Sequence, residues 1–147
     1  MKSRALISVL ILIMAVLGIT GSCATRKKAV KAPIESVYGT WANLDYNTRN
    51  DFFAKCKIRP DGIIEVASHT ENEYHHFDDR TFTIIESWMD SDGNKYYKVD
   101  LVRGISDWYE LWKINETDSV LEYIISNIDY PTKIDPEHMN YRIYYRL

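Results

Sequence analysis

The densest set of potential metal ligands in the 147-residue chain is His69-Thr70-Glu71-Asn72-Glu73-Tyr74-His75-His76. Zinc needs three or four such ligands converging tetrahedrally. His75 and His76 are adjacent, so on an extended strand their rings point to opposite faces and His69 can join only one of them. A solvated polar loop accounts for the same residues, and no metal is expected. Asp90-Ser91-Asp92-Gly93-Asn94 has the carboxylate density of a calcium loop. A calcium-binding helix-loop-helix loop places glycine sixth and a bidentate glutamate twelfth. Counted from Asp90, those positions are Lys95 and Leu101. The segment reads as a hairpin turn.

Glu65, Glu86, Glu110 and Glu122 occupy single positions in alternating segments, and most are expected to face solvent. The chain has no Gly-x-Ser-x-Gly, Cys-His or phosphate-loop pattern. No catalytic residue and no cofactor are expected, and the protein reads as non-enzymatic. Net charge is −3, but six of the 18 basic residues precede Glu35, which leaves twelve against 21 acidic residues in the remainder. Nucleic-acid affinity comes largely from cationic neutralisation of phosphates. An acidic body argues against that partner.

The N-terminus carries a different kind of chemistry. Met1–Arg4 is short and basic, Ala5–Thr20 is an unbroken apolar run, and small residues follow. That order is the pattern of an export signal, and the run is short of the roughly 20 residues a spanning helix needs. Thr20-Gly21-Ser22-Cys23 resembles the lipobox of bacterial lipoproteins, with Thr20 where leucine is usual. The resemblance implies cleavage before Cys23 and a diacyl or triacyl anchor on its sulfur. Residues 1–22 are then a signal peptide. Residues 23–37 are a basic tether whose cations can sit against anionic headgroups, with Pro33 discouraging helix. The expected location is the bacterial cell envelope, lipid-anchored to a membrane. With Cys23 acylated, Cys56 has no disulfide partner in the chain, and its alternation with Lys55 and Lys57 places it on a buried strand face.

The remainder, residues 38–147, must be built from strands. Apolar and aromatic residues recur at every second position, as in Tyr97, Val99 and Leu101 against Lys98 and Asp100, which fails a helical template. Eight segments follow this pattern: Tyr38–Tyr46, Phe52–Ile58, Ile63–His69, Thr81–Trp88, Lys95–Val102, Asp107–Ile114, Val120–Ser126 and Tyr141–Leu147. Turn-forming residues such as Arg59-Pro60-Asp61-Gly62 separate them. Close spacing predicts an all-β antiparallel meander, which can close into a small up-and-down barrel. A two-sheet β-sandwich is the alternative.

Tyr38-Gly39-Thr40-Trp41 is similar to the Gly-x-Trp opening of lipocalins and related calycin barrels. The resemblance implies that Trp41 plugs one end of the barrel and that an arginine of the last strand, Arg142 or Arg146, packs across its ring. An eight-stranded barrel leaves room for side chains or one small ligand. Lipocalins usually carry a helix beside the barrel, whereas this chain stops after its last strand. The aromatic residues Trp88, Tyr97, Trp108, Trp112 and Tyr123 are the candidate ligand contacts, although such side chains can also fill a narrow interior. In Asp107–Ile114 both faces are apolar, so one must be covered or used for contact. Asn127–Asn140 is expected to cross a barrel mouth. Two functions follow: binding of a small hydrophobic ligand, or docking of another envelope protein by a solid barrel.

Overall fold

The computed structural model describes residues 29–43, 54–68, 70 and 73–147, with the side chains of residues 77–79 outside that description. The export segment, Cys23, His69 and Glu71 fall outside the described residues. Period-2 alternation yields eight strands: β1 Gly39–Ala42, β2 Lys55–Ile58, β3 Ile63–Ala67, β4 His75–Met89, β5 Lys95–Arg103, β6 Ser106–Ile114, β7 Val120–Ser126 and β8 Tyr141–Arg146. Each pairs antiparallel with the next in the chain, and β8 returns to β1 through Trp41↔Arg146 and Ala42↔Tyr145. The result is a closed eight-stranded up-and-down barrel, which leaves no edge strand. Closure rules out the sandwich.

Turn chemistry reinforces the register. Asp90 Oδ1 accepts the backbone N–H groups of Asp92 and Asn94, each at 2.9 Å, and Gly93 takes φ +82°. Its carboxylate is thus spent on its own hairpin, and the Asn94 amide holds its pKa below the usual carboxylate value. His75 and His76 open β4 and are both exposed. The strand therefore begins six residues before the expected Thr81.

Interior positions follow the pleat. Tyr97, Val99 and Leu101 of β5 point inward, as do Trp112 and Ile114 of β6, and together with Trp41, Phe82, Leu121 and Tyr144 they form the core. Two segments outside the strands complete it. Residues 30–37, assigned from sequence to the tether, pack against the barrel: Val30 bridges Met89, and Ala32 and Val37 are buried. A 3₁₀ turn at Ile34–Val37 brings the chain across one end. The connection 127–140 lies along the outer wall instead of a mouth. Tyr130 packs edge-on against Tyr109 with ring centroids 5.1 Å apart, and its hydroxyl bonds the outward-facing Asp100 carboxylate. Leu111 and Ile124 project outward there yet are buried. The second apolar face of β6 is covered by the protein itself.

Candidate functional site

The two ends of the barrel are built differently. At one end Trp41 is fully buried, and its indole Nε1 donates to the Val37 carbonyl at 3.1 Å. The Arg146 guanidinium lies 4.2 Å from the Trp41 ring centroid. It also donates to the carbonyls of Ser36, Tyr38 and Asp118 at 2.7, 2.9 and 2.5 Å. Gly39 is required beneath it: φ is +139°, and an added Cβ would meet Arg146 Nη1 at 2.6 Å. The Gly-x-Trp signature is thus a steric and cation–π device that seals this end. Tyr97 belongs to the same seal. Its hydroxyl donates to the Pro33 carbonyl at 2.7 Å, and burial pushes its pKa up to about 12. Lys95 closes the side with an ion pair to Asp118 at 2.9 Å.

Arg142 is not part of this arrangement. It shares the inner face of β8 with Tyr144 and Arg146 but stands one pleat beyond Tyr144 in the opposite direction. Four residues of strand separate it from Arg146, roughly 13 Å. At the other end it donates to the carbonyls of Met139 and Tyr141.

Toward that other end the described residues line a cavity of about 60 Å³ inside the barrel. Apolar walls come from Ile58, Ile64, Val66, Leu101 and Leu121, and polar groups from Cys56, Arg80, Arg103, Glu110, Tyr123 and Tyr144. Glu110 dominates the electrostatics. Only 3% exposed, it points inward between Trp108 and Trp112. Its Oε2 accepts from Trp112 Nε1 at 2.5 Å. Burial raises its pKa, against the opposing pull of that indole N–H and of the Arg103 charge. Two buried side-chain atoms among the described residues lack a hydrogen-bond partner: Glu110 Oε1 and Arg103 Nε. Both residues line this cavity. Burial drives the Cys56 thiol up to about 12, with the nearby Glu110 charge adding to it, so Cys56 is an inert wall residue. The Tyr123 and Tyr144 rings stack 5.8 Å apart, and burial raises both phenols.

No protein-family model, curated protein or solved structure matches the chain.

Of the five aromatic residues expected to meet a ligand, Trp112 and Tyr123 line the cavity, and Trp108 sits half-buried nearer the open end. Tyr97 is consumed in the closed end. Trp88 is outside the barrel. A bulge between Ile84 and Glu86 inserts Ile85 and reverses the parity of β4. Ser87 then faces the lumen, while Trp88 stacks on Tyr96 of the outer wall with ring centroids 5.4 Å apart. Grooves of about 530 and 450 Å³ run there between the wall and the 127–140 connection.

Glu110 and Arg103 were legible only through parity. Glu110 is two residues from both Trp108 and Trp112, and Arg103 continues the inward series Tyr97, Val99, Leu101. The expectation that the carboxylates face solvent holds for Glu86, paired with Lys98. It fails for Glu110. Glu65 and Glu122 are outward but partly covered by Arg59 and Lys113. No group of three or more metal-ligating side chains converges among the described residues.

Proposed function

We propose that this protein is a membrane-anchored envelope lipoprotein whose lipocalin-like barrel binds a small hydrophobic ligand. The observation that carries the reading is the asymmetry of the barrel: one end is sealed by Trp41 and Arg146, and an apolar-walled cavity lies toward the other. A site walled by aliphatic and aromatic side chains with a few convergent polar groups is the usual form of a small-molecule pocket. At about 60 Å³ it has room for about four water-sized groups. The occupant is therefore slender, with the rest of the ligand toward the mouth, near half-buried Trp108.

The anchor fits this geometry. Residue 30 sits at the sealed end, next to Met89. Val30 is seven positions after Cys23, a reach of about 25 Å when extended. A lipid on Cys23 therefore directs the sealed end toward the membrane and the mouth away from it.

A second reading, docking of another envelope protein, is favoured by Ile105, Ile128 and Met139. These residues lie in the connections at the open end and are exposed. Native mass spectrometry of the protein extracted from its own membranes distinguishes the two. The ligand reading expects a species beginning at an acylated Cys23 with a small molecule bound. A co-purifying protein with a bare barrel supports docking, and an intact Met1 overturns the lipoprotein assignment.

A further inference from the structure

We propose that the cavity between Arg103 and Glu110 is a headgroup pocket for a carboxylic acid, whose apolar tail runs from it toward the open end. The proposal rests on the ligand-binding reading above and specifies the chemistry of its occupant.

Buried polar atoms in folded proteins are almost always hydrogen-bonded, and the exceptions call for an explanation. Here two such atoms, Arg103 Nε and Glu110 Oε1, belong to side chains that line one cavity. Arg103 Nε can only donate. Glu110 Oε2 already accepts the Trp112 indole N–H, so a proton on this carboxyl resides on Oε1 and makes it a second donor. Two donors beside one small space suit two acceptor oxygens on one carbon. Octanoate would accept from Arg103 Nε with one oxygen and from Glu110 Oε1 with the other.

The charges around Glu110 favour that class over others. The titratable or charged neighbours lining the cavity are Cys56 on β2, Arg80 on β4, Arg103 on β5, Tyr123 on β7 and Tyr144 on β8. Among these described residues Glu110 is the only acid. An ammonium headgroup would meet the Arg103 guanidinium beside the single carboxyl. An alcohol oxygen can accept two hydrogen bonds but carries no charge, so it forgoes the charge-assisted pairing with the Arg103 guanidinium. Where Glu110 is ionised in the free protein, capturing a carboxylate draws one proton from solvent onto Oε1. The two carboxyls then share that proton while Arg103 balances the remaining charge.

Isothermal titration of the full chain at neutral pH with octanoate, 1-octanol and octyltrimethylammonium tests this. Octanoate should bind at least about tenfold more tightly than 1-octanol, with the cation weakest. Arg103→Met should abolish the preference for octanoate, with a cooperative urea unfolding transition showing that the variant is folded. Repeating the titration in buffers of different ionisation enthalpy should reveal proton uptake with octanoate that Glu110→Gln removes. Equal affinity for octanoate and 1-octanol overturns the headgroup pocket while sparing the ligand-binding reading. Binding of none of the three probes overturns both and leaves the cavity to water. Preference for the cation overturns the assignment of donors.

Discussion

The sealed and open ends of this barrel are made from the same strands and solve opposite problems. At the sealed end each strong donor has a partner: the Arg146 guanidinium reaches three carbonyls, Trp41 reaches Val37, Tyr97 reaches Pro33 and Lys95 reaches Asp118. Toward the open end, Arg103 Nε and Glu110 Oε1 are buried without partners among the described residues, and Ile105, Ile128 and Met139 are exposed. A satisfied polar network rigidifies and specifies a fold, whereas an incomplete one costs stability. The contrast places the satisfied polar network at one end and the proposed ligand site toward the other.

The largest effect should come from breaking the sealed end. Trp41→Ala removes a fully buried indole and the surface on which Arg146 stacks, and is expected to cost about 3–5 kcal/mol in urea unfolding. Gly39→Ala comes next. Its φ is unfavourable for a side chain and its Cβ would displace Arg146 Nη1, so a loss of about 1–3 kcal/mol is expected.

Glu110→Gln probes the other end, and its effect should depend on pH. Burial raises the Glu110 pKa in the folded state above its unfolded value, near 4.5. The folded protein therefore binds the proton more tightly. Stability from this group is fully present below pH 4.5 and is lost as pH rises through the folded pKa. Glutamine keeps an acceptor for Trp112 and does not ionise. The variant should gain on wild type as pH rises from 4 to 8, by about 1–3 kcal/mol at the upper limit, as measured by thermal unfolding across that range. A constant difference would mean that Glu110 is solvated when folded. The smallest effect belongs to Trp88→Ala on the outer wall, expected at about 1 kcal/mol or less because only stacking on Tyr96 and contact with Lys98 are lost.

The strand order was readable in sequence because inward and outward residues alternate with a period that only an extended chain satisfies. Tyr97, Val99 and Leu101 against Lys98 and Asp100 is the clearest case. The sealed end was readable from Gly39, Trp41 and a terminal arginine, though choosing Arg146 over Arg142 needed the direction of β8. What escaped was whatever breaks the period or acts across it. The inserted Ile85 sends Trp88 outward with no change in composition to signal it. Glu110 shares a face with two tryptophans but has the side chain of a surface residue. Residues 30–37 and 127–140 have no strand periodicity, so their packing against Tyr97 and Tyr109 emerges only once the barrel exists.

The most direct test of a barrel that binds through one end uses 8-bromo-1-octanol as a heavy-atom quencher of the four tryptophans, which occupy three distinct places. Trp41 lies in the sealed end, Trp88 on the outer wall, and Trp108 with Trp112 in the lumen. Saturable quenching that persists in Trp88→Phe and falls sharply in Trp108→Phe is the predicted result. Quenching that vanishes in Trp88→Phe and persists in Trp108→Phe would place the ligand in the outer groove and contradict the account.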